Sequence, residues 1–77
     1  MNRYFESREF EDVDGFTELY KIEHVIVYIY DTLFSSWTYI GEEKYWKHQY
    51  QDLCKRGHIK EISESEAFVL KLELEVS

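Results

Sequence analysis

The sequence predicts an α+β domain, in which an antiparallel sheet of four to five strands packs one face against a single helix. Ile22 to Tyr30 is the most apolar stretch, with β-branched or aromatic side chains at seven of nine positions, as is typical of a buried strand. Residues 41–57 carry apolar side chains at helical spacing, and residues 68–76 alternate between apolar and mostly charged side chains. At 77 residues the chain is expected to form one domain, residues 1–77.

The N-terminal segment has no clear period. Its apolar residues fit neither a strand nor a helix well, so residues 1–13 are predicted either as a strand or as a loosely ordered arm. Asp14-Gly15 then indicates a hairpin turn. A two-residue turn there would place Glu11 opposite Glu18, and like charges across a ladder are unfavourable. A longer or bulged turn is therefore as consistent with the sequence as a tight one.

The central strand is predicted to run from about Phe16 to Tyr30. One of its faces would carry Ile22, His24, Ile26, Tyr28 and Tyr30, and the other would carry Val25, Val27 and Ile29. A strand that is apolar on both faces needs cover on both sides. Residues 31–36 have the length of a hairpin loop, and residues 37–40 are predicted as a short strand.

The helix is predicted over Gly41 to Gly57. Two glutamates in its first turn, and Lys55 and Arg56 in its last turn, match the helix dipole. The glycine at its end suits the left-handed residue that stops a helix. Its apolar stripe, at i, i+4, i+7 and i+8, consists of Trp46, Tyr50, Leu53 and Cys54.

The C-terminal part is predicted to add two strands. Residues 58–62 form a short strand, Ser63 to Glu66 a turn, and Phe68 to Val76 a half-buried strand. The predicted order is therefore β-β-β-α-β-β. Because one helix covers only one face of a sheet, the second face is expected to be covered by residues 1–13, by a second copy of the chain or by a different partner.

The charge of the chain is strongly acidic and unevenly placed. Sixteen acidic residues against nine basic ones give a net charge of −7, yet residues 44–60 taken alone are basic. A negative field repels nucleic acid and attracts basic surfaces. The expected function is that of a small acidic protein-binding module, an inhibitor or adaptor that occupies a basic, nucleic-acid-binding surface of a partner. The alternative reading of these acids is that they only keep an aromatic-rich domain soluble.

Two sets of residues are predicted to form the binding surfaces. Aromatic side chains make up 18% of the chain and dominate interfaces as well as cores. The expected homodimer or partner interface consists of Tyr28, Tyr30, Phe34, Trp37 and Tyr39. The expected acidic surface, if the two ends of the chain lie on neighbouring outer strands, consists of Glu9, Glu11, Asp12, Asp14, Glu18, Glu64, Glu66, Glu73 and Glu75.

Nucleic-acid binding is the competing function. The outer face of the predicted helix is basic, and such a face can contact phosphates. Its residues are Lys44, Lys47, His48 and Lys55. In a chain with a net charge of −7 such binding would be weak and strongly dependent on salt.

Catalysis, metal and cofactors are not expected. Cys54 and His58 lie four residues apart, but zinc sites normally use pairs of such ligands, and Cys54 belongs to the apolar stripe. There is no glycine-rich phosphate loop. His24 is expected to be a core or interface histidine within the central strand.

The expected location is cytoplasmic. A single cysteine cannot form an intramolecular disulfide, and no basic N-terminal segment leads into an apolar run as in a secretory leader. The longest apolar run, Val25 to Tyr30, is too short to span a bilayer, so no membrane contact is expected.

Overall fold

The fold is α+β, as the sequence predicts. A computed structural model describes residues 2–9, 16–48 and 59–76. Within these residues the strands are β1 (Arg3–Glu9), β2 (Phe16–Glu23), β3 (Ile26–Asp31), β4 (Ser36–Glu42) and β5 (Ile59–Ile62), and the helices are α1 (43–48) and α2 (Glu64–Val76).

The strands form one antiparallel sheet in the order β4-β3-β2-β1-β5. Along the chain the order is β-β-β-β-α-β-α, which differs from the predicted order at two places. The N-terminal strand β1 lies inside the sheet, between β2 and β5, so residues 3–9 are a strand and not a loose arm. Both edges of β1 are hydrogen-bonded, which gives this otherwise irregular sequence its strand conformation.

The first hairpin uses the longer of the two connections considered. Glu9 pairs with Phe16, so six residues join β1 to β2 and the tight turn at Asp14-Gly15 is excluded. In this register Glu18 lies opposite Ser7. The tight turn would instead have placed Glu18 opposite another glutamate, which is unfavourable.

The stretch from Ile22 to Tyr30 is two strands and not one. A two-residue turn at His24 and Val25 folds β3 back onto β2, with Ile22 opposite Val27. His24 has a φ of 58°, lies in a turn and is exposed, so the expectation of a core histidine within a strand is wrong. A histidine tolerates positive φ better than the β-branched residues that surround it.

This turn also changes which residues share a face. Ile22 and Val27 lie on the face that α1 covers, together with Phe5 and Ile59, and Trp46 of α1 packs onto them. Tyr30 lies on the opposite face, under α2. The prediction that Ile22 and Tyr30 share one face is therefore wrong.

Helix α2 covers the sheet face opposite α1, for which the sequence analysis predicted no helix. The segment predicted as a strand from Phe68 to Val76 is helical, and Ala67 and Leu70 pack onto Leu19 and Ile62. The sheet thus lies between two helices. The expectation that residues 1–13, a second copy of the chain or a different partner would cover this face is therefore wrong, because a second helix of the chain covers it.

The start of α2 explains why this segment is a helix. The Glu66 amide donates to Ser63 Oγ at 3.1 Å, and the Ser63 amide donates to Glu66 Oε1 at 3.3 Å. This reciprocal capping box satisfies backbone donors that a helix otherwise leaves open. The residues that follow are mostly Leu, Glu, Lys and Ala, which are strong helix formers.

Candidate protein-binding surface

Helix α2 carries a second apolar stripe on its outer side. Because successive residues turn by about 100° around a helix, positions 69, 72 and 76 lie opposite the buried positions 67, 70 and 74. Phe68 borders the outer positions. These four side chains, which we call the outer stripe, are 50–86% exposed and consist of Phe68, Val69, Leu72 and Val76.

Carboxylates flank the outer stripe on both sides. Glu66 and Glu73 lie along one side of it, and Glu64 and Glu75 along the other, by the same helical geometry. No basic residue stands in the last turn of α2. Glu73 and Glu75 therefore oppose the helix dipole, each at a cost of a few tenths of a kcal/mol.

The charges on the two sides of the sheet differ in how they are compensated. On the α1 side Arg3 bridges Glu43 at 3.3 Å and Glu61 at 3.1 Å, and Lys47 also reaches Glu43, at 3.0 Å. The hydrogen bond from Arg3 lowers the pKa of Glu61 and raises that of Arg3 itself.

On the α2 side the flanking acids are not compensated in this way. No Lys or Arg of the described residues lies within ion-pair distance of Glu64, Glu66 or Glu73. The only lysine of the helix, Lys71, instead lies 5.3 Å from the centre of the Tyr30 ring. Within the described residues these three carboxylates thus have no cationic partner, and Glu66 accepts only the hydrogen bond from the Ser63 amide.

A groove of about 380 Å³ continues this surface between α2 and β5. Its floor holds the buried carboxylate of Glu6, which lies 3.2 Å from Lys60 Nζ at the rim. With one lysine against three glutamates, the groove is net negative. Its lining residues are Glu6, Lys60, Ser65, Glu66, Val69, Leu70 and Glu73.

The C-terminal end of α2 is held to the sheet by Tyr30. The Tyr30 hydroxyl donates a hydrogen bond to the Glu75 carboxylate, which raises the pKa of Tyr30. Leu74 packs nearby against the cluster that contains Tyr30. The orientation of the outer stripe is therefore fixed at both ends of the helix, by the capping box and by this contact.

The predicted interface aromatics lie together, although they are largely covered. Tyr28 pairs with Tyr39 and Tyr30 with Trp37 across β3 and β4, so four of the five share the α2 face of the sheet. Tyr30 is buried, and Tyr28 and Trp37 are half-buried. Lys21 Nζ lies 5.2 Å from the Tyr28 ring and 4.7 Å from the Trp37 ring.

Two of the predicted interface aromatics stay exposed. Tyr39 on β4 is 60% exposed, and Phe34 in the turn between β3 and β4 is 73% exposed. Tyr39 is on the edge strand and Phe34 is in the turn that leads into it, so the aromatic surface open to another molecule is a rim and not a whole face.

The predicted acidic residues do not form one surface. Glu9 ends the inner strand β1, and Glu18 on β2 faces the α1 side, where it accepts a hydrogen bond from Tyr20. Helix α2 carries Glu64, Glu66, Glu73 and Glu75. The expectation that the N-terminal and C-terminal groups of acids lie on neighbouring outer strands is therefore wrong. Glu11, Asp12 and Asp14 lie outside the described residues.

The predicted basic face is partly neutralised. Lys44 Nζ lies 3.6 Å from Glu42, and Lys47 Nζ lies 3.0 Å from Glu43. His48 is exposed on α1. The predicted end of this helix lies outside the described residues, and so do three residues considered in the sequence analysis, namely Cys54, Lys55 and His58.

Other kinds of site have little support in the described part of the chain. There, no group of three His, Cys, Asp or Glu residues is arranged to hold a metal ion. A cleft of about 490 Å³ opens beside Tyr45 and Trp46, but its deeper walls, Tyr20 and Trp46, are core residues. No helix of the described residues has the length and apolar character needed to cross a membrane.

Comparisons with protein-family models, with curated proteins and with solved structures found no match for this chain. The surface of α2 must therefore be interpreted from its own chemistry.

The outer stripe is the feature that the sequence reasoning missed. Read as a strand, residues 68–76 place Leu70 and Leu72 on the same face, and the stripe does not exist. The signal that could have found it is the capping box Ser63-x-x-Glu66, which precedes an apolar segment rich in helix formers.

Proposed function

We propose that this chain is a small acidic, non-enzymatic protein-binding module, and that α2 is its principal binding element. The observation that carries the proposal is the outer stripe, an exposed apolar strip flanked by carboxylates that no described cation neutralises. Exposed apolar surface of this kind, bordered by charge, is typical of interfaces.

The partner is a protein with a basic surface that presents apolar side chains between its cations. An amphipathic helix with Lys or Arg flanks suits the outer stripe, because a helix can lay its apolar side along another helix. A Lys or Arg side chain beside it suits the net-negative groove next to Glu6. Basic surfaces of this kind also bind nucleic acid, so the module would act as an inhibitor or adaptor that competes with nucleic acid.

The apolar contact alone is not sufficient for tight binding. Completing the burial of four half- to mostly exposed side chains yields roughly 4–8 kcal/mol. Association costs about 4–15 kcal/mol in lost motional freedom. Electrostatic attraction to the carboxylates and the groove therefore has to supply the remaining free energy of binding. Because salt screens this attraction, the affinity is predicted to fall as the salt concentration rises.

The proposal can be tested by site-specific photocrosslinking in the source cell. A photoreactive phenylalanine at position 68 should give adducts with proteins that have a basic surface. Glu64→Lys combined with Glu73→Lys, which leaves the capping box intact, should abolish these adducts. The matched control is the same probe at Val25, which is equally exposed but lies in the turn between β2 and β3.

Each outcome of this experiment either supports or refutes the proposed binding by α2. Adducts from position 68 that depend on the two glutamates and compete with added nucleic acid support the proposal. The same adducts from positions 68 and 25, or adducts indifferent to the charge reversal, would refute it.

The competing nucleic-acid function has its own test. Labelled DNA or RNA at low salt should bind negligibly, since Lys44 and Lys47 are each close to a carboxylate. Saturable binding that is lost in the triple variant Lys44→Glu, Lys47→Glu and Lys55→Glu would overturn the protein-binding proposal.

The second part of the proposal is that the chain forms a homodimer through the aromatic rim at Phe34 and Tyr39. Both side chains are more than half exposed, whereas Tyr28, Tyr30 and Trp37 of the same predicted interface are half-buried or buried. Aromatic residues are enriched at such contacts. Sedimentation at micromolar concentration tests this part directly, and a strict monomer would refute it.

A further inference from the structure

Among the described residues, the edge of the sheet at β4 has the features that suit a contact with a second copy of this acidic chain. Residues 32–41 are ten consecutive residues without Asp, Glu, Lys, Arg or His, the longest such run in the chain. Since each copy carries a net charge of −7, a self-contact is least opposed where no charge is present.

Strand β4 also offers backbone groups for pairing. It is the outermost strand next to β3, and no strand of the described residues lies beyond it. The main-chain groups that point away from β3 are therefore open to another strand. It is seven residues long, and its only charged residue, Glu42, is the last one.

The opposite edge lacks these properties. Strand β5 has four residues, and its two central residues are Lys60 and Glu61. Short edges with central charges are how sheets avoid edge-to-edge pairing. The two edges of this sheet thus differ in the features that permit or prevent association.

We propose that β4 pairs antiparallel with β4 of a second copy, with Thr38 on the two-fold axis. This inference rests on the proposed homodimer and specifies its contact. In this register Trp37 faces Tyr39 of the second copy, and Tyr39 faces Trp37, so two aromatic pairs form on the α2 face. Thr38 faces Thr38 and Ser36 faces Ile40 on the other face. Aromatic and Thr–Thr cross-strand pairs are among the favourable ones.

Alternative registers that keep the two-fold axis are less suitable. With Tyr39 on the axis, Trp37 would face Gly41, so the two Trp37–Tyr39 pairs would be lost, and Ser36 would face Glu42. With Trp37 on the axis, Tyr39 would face Ser35, which lies in the turn with a φ of 51°. The Thr38-centred register uses only strand residues, 36–40.

The pairing joins two five-stranded sheets into one continuous sheet of ten strands. It extends the row of aromatic side chains on the α2 face across the two-fold axis and covers Tyr39. It uses the backbone edge of β4 and not the outer stripe, so each copy of α2 keeps its own binding surface. A dimer would then bring two acidic surfaces to one basic partner.

Complementary charges at position 38 test the register. The variants Thr38→Glu and Thr38→Lys each place like charges face to face on the axis, so sedimentation should show dimerisation at least tenfold weaker than in the wild type. An equimolar mixture of the two should recover the dimer, because Glu then faces Lys. Thr38 is exposed in the single copy, and recovery on mixing itself shows that both variants are folded.

Position 36 provides the matched control. In the proposed register Ser36 faces Ile40, so a mixture of Ser36→Glu and Ser36→Lys should not dimerise better than either variant alone. Recovery at position 36 without recovery at position 38 would overturn the register. A wild-type dimer that is unaffected by both Thr38 variants would overturn the edge pairing while the proposed homodimer stands. A wild-type monomer would overturn both and leave the α2 proposal to its own test.

Discussion

The two leucines at positions 70 and 72 give the sharpest test of how α2 lies on the sheet. Leu70 is 6% exposed and packs with Ala67 against Leu19 and Ile62, whereas Leu72 on the outer stripe is 50% exposed. In a strand both leucines would lie on the same face. The substitutions Leu70→Ala and Leu72→Ala therefore distinguish the two arrangements with the same chemical change.

The expected magnitudes differ clearly. Truncating a buried leucine costs about 2–5 kcal/mol, as lost transfer energy plus the cavity that remains. Truncating the half-exposed Leu72 should cost about 1 kcal/mol or less, because part of its surface already contacts water. Alanine is at least as good a helix former as leucine, so helix propensity does not account for the difference.

The loss at Leu70 is large for a chain of this size. Typical stabilities of about 0.05–0.15 kcal/mol per residue correspond to roughly 4–12 kcal/mol for the whole chain. At about 4–8 °C per kcal/mol, Leu70→Ala should lower the Tm by roughly 10 °C or more.

Urea and thermal unfolding followed by tryptophan fluorescence and circular dichroism provide the measurement. Leu70→Ala should shift the midpoint strongly and Leu72→Ala only slightly. Equal losses at the two positions would refute the helical placement of these residues. If α2 binds a partner as proposed, the same Leu72→Ala variant should also lose partner adducts in the crosslinking experiment.

Three further predictions concern single contacts. Ser63→Ala removes the side-chain acceptor of the capping box and should lower the free energy of unfolding in urea by about 1 kcal/mol, whereas Ser65→Ala, within the helix, should change it by less than about 0.5 kcal/mol. His24→Gly removes the left-handed strain of a side-chain-bearing residue and should raise the unfolding free energy by up to about 1 kcal/mol, while His24→Val should lower it. Glu75→Gln replaces the carboxylate that accepts the Tyr30 hydrogen bond with a weaker, neutral acceptor, so the raised pKa of Tyr30 should fall toward its ordinary value of about 10 in an NMR titration of labelled tyrosine.

The Tyr30 contact also predicts the sign of a pH effect. Because the pKa of Tyr30 is raised in the folded chain, its contribution to stability is complete below the ordinary tyrosine pKa. This contribution is lost as pH rises through the raised pKa. The difference in stability between the wild type and Glu75→Gln should therefore narrow at alkaline pH, and a difference that widens would contradict the assigned contact.

Several elements could be predicted because the spacing of their apolar residues fits only one kind of secondary structure. The strand that starts at Phe16, the four-residue turn before Ser36 and the strand at Ile59 are found where they were expected. Trp46 is buried on α1, as the predicted helical stripe requires. In each case the apolar period and the flanking turn or cap residues predict the same type of element.

Other elements could not be predicted because the local pattern fits two structures. Residues 22–30 are apolar except for Glu23 and His24 and contain no Gly, Pro, Asn or Asp, so no turn residue marks the turn at His24. The pairing of β2 with β3 imposes that turn. Strand β1 likewise owes its conformation to the two neighbours between which it lies.

The acidic character of the chain, its aromatic content and its α+β class follow from the sequence by itself, since composition and strong local periods do not depend on what packs against them. Only the tertiary structure decided which acidic residues lie beside which exposed apolar residues on the surface. Residues 68–76 satisfy the period of a strand, but two other features favour a helix. One is the capping box at Ser63, and the other is the sheet face opposite α1, onto which Ala67 and Leu70 pack. That choice turns Leu72 away from Leu70 and out toward solvent between the glutamates, because a helix places residues two apart on different sides.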